Sequence, residues 1–174
     1  MRTALAVAGA CCLALGACSP PMREYQYPVY GFAISFPSPP KETDQPSDGK
    51  SGPRIILEST AAGGRDFVIE TYDLRSYFAY ASKDVMASAV QENADKLGGV
   101  VSSETPISTS SYSGRQYQLS KNGKPTTVLR EFLAGSKFFI VAAASDIGPN
   151  DPAIDAYFNS FRLLPATPPP VNGA

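Results

Sequence analysis

Between Arg115 and Ala144 the chain runs through three extended segments joined by two short turns, and this stretch leaves little freedom in the fold. RQYQLS at 115–120, TTVLREFL at 126–133 and KFFIVAAA at 137–144 are rich in β-branched and aromatic residues. Asn122-Gly123 lies between the first two segments. Both residue types tolerate positive φ, which a two-residue hairpin turn demands. Ala134-Gly135-Ser136 lies between the second and third. Three consecutive antiparallel strands are expected. The last of them, apolar on both sides, belongs in the middle of a sheet.

The rest of the chain extends this pattern. Phe32, Ile34 and Phe36 alternate with Ala33 and Ser35, a period of two that marks a strand. RIILES at 54–59 and DFVIETY at 66–72 read as a hairpin around Ala62-Gly63-Gly64, and 99–103 as a further short strand. The proline-rich stretch 37–53 reads as a loop. SKDVMASAVQENADKLGG at 82–99 has the marks of a helix: Ser82 as cap, a stripe of Val85, Met86, Ala89, Val90, Ala94 and Leu97, and a Gly98-Gly99 stop. A last helix is expected through 154–164, with Asp151 as cap and Pro152 in its first turn. The order β-β-β-α-β-β-β-β-α predicts an α+β fold, an antiparallel sheet with helices packed on its faces.

The chain begins MRTALAVAGACCLALGAC. One positive charge, an apolar run and a small-residue exit describe a secretory signal too short to span a bilayer. Leu15-Gly16-Ala17-Cys18 resembles the lipobox of bacterial lipoproteins. The resemblance implies cleavage before Cys18 and acylation of that cysteine, and in a Gram-negative envelope an outer-membrane location facing the periplasm. An ordinary signal peptide with an incidental cysteine is the alternative. The expected organisation is a signal peptide at 1–17, a lipidated tether at 18–28, one domain at 29–164 and a proline-rich disordered tail at 165–174. Cys11 and Cys12 leave with the signal, so the folded part has no disulfide and no cysteine-based metal site.

Composition excludes several functions. The chain has no histidine, which removes Ser-His-Asp and Cys-His catalysis and zinc–histidine sites. Fifteen basic and sixteen acidic residues give a net charge of −1, without the basic cluster that nucleic acid requires. Ser35-Phe36-Pro37 and Tyr112-Ser113-Gly114 do not fit a Gly-x-Ser-x-Gly elbow, and Ser82-Lys83 lacks the spacing of a Ser-x-x-Lys pair. A non-enzymatic protein without a cofactor is expected.

Three stretches carry a family resemblance: YGFAISFPSPP at 30–40, YSGRQYQL at 112–119, and REFLAGSKFFIV at 130–141 followed by AYFNSFRLL at 156–164. In this order they resemble the PsbP-like (Mog1/PsbP) domains. The resemblance implies an α/β/α sandwich around an antiparallel sheet and a binding role. Photosynthetic members dock on a membrane complex, and the nuclear-transport member binds a small GTPase. The histidines of some members' metal sites are missing here, so no metal is carried over. The expected partners are the membrane, through Cys18, and a protein of the envelope; the alternative is a carrier or sensor of a small apolar ligand.

Two sets of residues are candidates for binding. If Asn122-Gly123 sets the register, Arg115 faces Arg130, and two opposed guanidinium groups make an anion or partner site. Alternatively Glu131, Asp155 or a helix carboxylate neutralises them, or Pro125 disturbs the ladder and they never face. Tyr72, Tyr77, Phe78 and Tyr80 crowd the segment before the first helix, either as an aromatic groove or as ordinary core.

Overall fold

The computed structural model describes residues 21–45, 51–74, 82–96 and 99–165. Seven strands form one antiparallel sheet. In chain order they are β3 (Lys41–Gln45), β4 (Ser51–Ala61), β5 (Arg65–Leu74), β6 (Val100–Ser108), β7 (Ser113–Lys121), β8 (Lys124–Ala134) and β9 (Lys137–Ser145). Their spatial order is β3-β4-β5-β9-β8-β7-β6. A second sheet is built from β1 (Arg23–Tyr27), β2 (Phe32–Phe36) and β10 (Arg162–Leu163), with β2 in the centre. Helices α1 (Ser82–Lys96) and α2 (Pro152–Ser160) complete the described chain.

KFFIVAAA is central, as expected. Strand β9 lies between β5 and β8 and buries residues on both sides. Phe139, Val141 and Ala143 join one core and Phe138 and Ile140 the other. The first core lies between the large sheet and the layer made by β2 and α2. Phe32, Ile34 and Phe36 meet Phe67, Ile69 and Val141 there, with Tyr157 and Phe158 from the helix. The second core lies under α1, where Ala89, Val90 and Ala94 meet Tyr117, Leu119 and Leu129.

This arrangement corrects the expected fold class. The α+β reading made helices the covering layers of an α/β/α sandwich. The fold is instead β-rich, with strands over most of the described residues and two helices among them. On the first face the cover is chiefly a sheet. REYQY at 23–27 pairs with β2 from Arg23↔Phe36 to Tyr27↔Phe32, within the stretch expected to be tether. Tyr25 packs edge-on to Phe36 and Tyr27 stacks on Phe32, with centroids 6.1 and 5.1 Å apart. The last helix is also shorter than its apolar stripe suggests. It ends at Ser160, and Phe161 turns extended at φ −68° and ψ 130°. Its ring then contacts Phe132 and Phe139 at 5.0 and 5.5 Å, while Leu163 pairs with Phe32. Aromatic burial outweighs one more helical turn. Strand β3 likewise forms inside the expected loop, pairing Lys41↔Glu58 through Gln45↔Arg54.

Edge strand β6 is exposed along nearly all its length. Pro106 and a ladder irregularity between Val101 and Ser103 blunt it against unwanted pairing. Next to it, Gly114 sits on β7 opposite Phe132. A β-carbon there would stand 2.0 Å from the Glu131 carbonyl oxygen and 2.5 Å from the Phe132 β-carbon. The Tyr112 ring stacks on Phe132 at 4.1 Å. Gly114→Ala must push β7 from β8, and a loss of about 2 kcal/mol is expected from such overpacking. Urea denaturation of the purified variant measures it. An unchanged midpoint would mean that the strands separate freely.

Candidate functional site

The hairpin joining β7 and β8 decides the fate of the predicted arginine pair. Asn122 and Gly123 take φ of 53° and 74°, the tight turn expected of them. Lys121 faces Lys124 and Ser120 faces Pro125, in the expected register. The ladder then shifts between Leu119 and Ser120, and Leu119 faces Thr127. One extra residue, Thr126, is accommodated next to Pro125, which has no N–H to donate. A one-residue slip sends every later side chain to the other face. Arg115 therefore faces Glu131, and Arg130 faces Gln116.

The two arginines point to opposite sides of the sheet and do not form one site. Arg115 makes an ion pair with Glu104 on β6, and both are well exposed. Arg130 donates from Nε to Gln116 Oε1 at 2.8 Å and lies 4.3 Å above the Phe158 ring. Burial lowers its pKa, while Tyr112 and Asp155 act in the other direction. Tyr72 lies on β5 in register with Arg54 and Phe138. Tyr77, Phe78, Tyr80 and Cys18 lie outside the described residues.

The register shift creates a feature that periodicity alone does not show. Glu131 is turned to the face of α1 and is fully buried. Neither carboxylate oxygen has a hydrogen-bond partner among the described residues. Burial pushes its pKa up, and the neighbouring Glu70 carboxylate pushes further, from 4.5 to about 8. Glu70 sits two strands away on the same face, linked through Ile140. Its Oε1 is 2.6 Å from Nε of Arg54 on β4.

A cleft of about 250 Å³ opens beside Arg54 and Glu70. Ile56, Val68, Ile140 and Ala142 give it an apolar floor. The Arg54–Glu70 pair, Glu58 and Asp66 edge it, and Asn93 and Lys96 at the end of α1 form a wall. The cleft exists because α1 packs against β6 and β8 and leaves the β4–β5 side of this face uncovered by described residues. Small residues on β9, Ala142 and Ala144, deepen it. Only register shows this grouping, since its members come from β4, β5, β8, β9 and α1.

A second buried cluster has a structural part. Asp151 caps α2 by accepting from the Ala153 N–H at 3.0 Å. Its Oδ2 also accepts from Arg65 Nε at 2.6 Å and Ser145 Oγ at 2.7 Å. The cap is legible in the sequence. The arginine, 86 residues away, is brought there by β5 pairing with β9, where Arg65 faces Ser145.

No family model matches this chain, and no curated protein matches it. Among solved structures it is similar to the solution structure of cyanobacterial PsbP (CyanoP) from Synechocystis sp. PCC 6803. The TM-score is 0.55 at 10% sequence identity, over 89% of this chain and 98% of that one. The chain thus has a PsbP-like fold. At this identity the likeness is one of fold alone.

Proposed function

We propose that this protein is a non-enzymatic binding or accessory module for another component of the bacterial envelope. Cys18 carries the lipid that holds it to the membrane, at the outer membrane facing the periplasm. The carrying observation is the likeness of fold to cyanobacterial PsbP over nearly all of that chain. The lipobox-like Leu15-Gly16-Ala17-Cys18 supports the anchor, and the absence of histidine speaks against most hydrolytic chemistry. A tether at the bilayer raises the effective concentration of the domain for membrane-bound partners. A second reading, a carrier or sensor of a small apolar ligand, is favoured by the cleft beside α1.

In-cell crosslinking, pull-down and intact-mass measurement of wild type and Cys18→Ala test both parts. The wild type is expected to carry the added mass of acyl chains, and Cys18→Ala to lose at least ten-fold in membrane association, since several acyl chains bind firmly where none do not. One envelope protein recovered with the acylated form and lost with Cys18→Ala is the result expected of an accessory module. An unacylated, soluble wild type overturns the anchor. An acylated protein with no specific partner overturns the accessory reading in favour of the carrier.

A further inference from the structure

We propose that the end of the domain at which β1 begins rests on the phospholipid surface, with Val100 and Ile147 entering the interface and Lys121 and Lys124 on lipid phosphates. The proposal deepens the accessory reading and rests on its anchor at Cys18.

Strand β1 takes residues 23–27 out of the expected tether and leaves Ser19 to Met22 between Cys18 and Arg23. Cys18 thus lies within roughly 17 Å of Arg23, the reach of that length of fully extended chain. Strand β8, with 11 residues, is roughly 36 Å long. The domain cannot swing clear of the bilayer, and the end at which β1 begins is held nearest to it. Register shows what shares that end. Arg23 faces Phe36, and just beyond it the Ser38 hydroxyl meets that of Ser59 at 2.8 Å, close to the β4–β5 turn where Ala61 faces Arg65. Arg65 faces Ser145 on β9, and Thr127 on β8 faces Ala144. The hairpin tip at 121–124 therefore lies at this end, as does the start of β6, where Val100 faces Ser120. Ile147 is there too: a β-carbon on the next residue, Gly148, would stand 3.5 Å from the Pro125 carbonyl oxygen.

Exposure decides what this end meets. The large apolar side chains left exposed among the described residues are Val29, Val100, Val101 and Ile147. The last three stand at the tether end, and Val100 and Ile147 are each 67% exposed. Val29 is at the opposite end, near Gly31, which approaches Lys137 just after the β8–β9 turn. Between Val100 and Ile147 the hairpin tip presents Lys121 and Lys124, both exposed and neither in an ion pair among the described residues. Of the acids at this end, Asp151 is paired with Arg65 and Glu92 with Lys96, while Glu58 faces Lys41. Asp66 lines the cleft beside α1, Asp95 accepts from Gln91, and Asp146 lies against Gly64. The free charges between the exposed apolar side chains are thus two lysines. Apolar side chains gain by entering the boundary between headgroups and acyl chains, and lysine stems lie along it with their ammonium groups on phosphate. An anionic surface favours each lysine further. The opposite end, with Val29 and the turn at 134–136, then faces away from the bilayer.

After removal of the signal, Cys18 is the sole cysteine, and acylation blocks its thiol, so a nitroxide attaches to one introduced cysteine at a time. Asn150→Cys, in the loop of Ile147, reports the tether end, and Ser111→Cys, in the groove shared with Gly31 and Gly135, reports the opposite end. The acylated chain, its acyl groups confirmed by intact mass, is placed in vesicles of phosphatidylcholine and phosphatidylglycerol. Electron paramagnetic resonance then reads collisions of each label with an aqueous nickel chelate. The label at Asn150 is expected to be roughly five-fold less accessible than the one at Ser111, as for a group at the headgroup level. Lys121→Glu with Lys124→Glu should cut this protection to about two-fold or less without changing the acyl mass. Equal accessibility of the two labels overturns the proposal and leaves the anchor standing. So does protection at Ser111 instead, or protection at Asn150 that survives the lysine changes. If the intact mass shows no acyl group, the anchor reading fails, and sedimentation of the same chain with the vesicles decides. Binding lowered about ten-fold by the two lysine changes upholds the contact, and no binding overturns it.

Discussion

Glu131→Gln is expected to stabilise the protein above about pH 8 and to remove a pH dependence that the wild type shows between 4.5 and about 8. In the unfolded chain the carboxyl ionises freely near 4.5, whereas in the folded protein burial first and Glu70 second hold it protonated until about 8. Between these values the folded state binds a proton that the unfolded state has lost. Stability is thus highest below the unfolded pKa, falls as pH rises toward the folded pKa, and stays reduced above it. The fall reaches about 1.4 kcal/mol per pH unit, and in total it is on the order of 5 kcal/mol. Glutamine keeps the shape and cannot ionise, so the variant should equal the wild type near pH 4 and exceed it by several kcal/mol at pH 9. Urea denaturation across this range measures the difference. Parallel curves for the two proteins would show that Glu131 has a partner in solution that satisfies its charge.

Asp151→Ala is expected to be the most destabilising single change, by roughly 3–5 kcal/mol. The substitution leaves the Arg65 guanidinium, only 14% exposed, without its carboxylate. It also strips the Ala153 N–H and the Ser145 hydroxyl of their acceptor. Asp151→Asn keeps a cap oxygen and loses the charge, so it should lie between the two. Burial pushes the Asp151 pKa up, but the bonds from Arg65, Ser145 and Ala153 outweigh it, and the net direction is down. A depressed folded-state pKa gives stability that is present above the unfolded value and lost as pH falls through the folded one. The gap between wild type and Asp151→Ala should therefore narrow below about pH 4. Chemical denaturation at pH 7 and pH 3 checks both statements. A loss under 1 kcal/mol at pH 7 would place Arg65 in solvent rather than in the ion pair.

Much of the local structure was legible. Alternation marked β2, β8 and β9, positive-φ residues marked the turn at Asn122-Gly123, and Asp151-Pro152 marked the start of α2, because each depends on neighbours within a few positions. Likeness of fold to PsbP-like domains was also visible in the order of aromatic, glycine and arginine positions. REYQY at 23–27 was misread, since a two-tyrosine alternation beside prolines resembles a tether until β2 is there to pair with it. The helical cover expected of both faces was misjudged for the same reason: one layer of cover is a sheet whose third strand, β10, arrives from the far end of the chain.

The arginine pair shows where local reasoning stops. The turn was right, and counting outward from it should have placed Arg115 against Arg130. One extra residue beside Pro125 reversed the faces, because side chains alternate with a period of two and a single slip exchanges core for solvent. That slip turned Glu131 inward. By itself the sequence determined the segments, their turns, the cap of α2 and the chemistry barred by a lack of histidine. Tertiary structure alone decided which residues share a face, hence the unpartnered carboxyl, the cleft beside α1 and the Arg65–Asp151 bond. These depend on register and on contacts between distant strands, and neither is encoded in any short window of the chain.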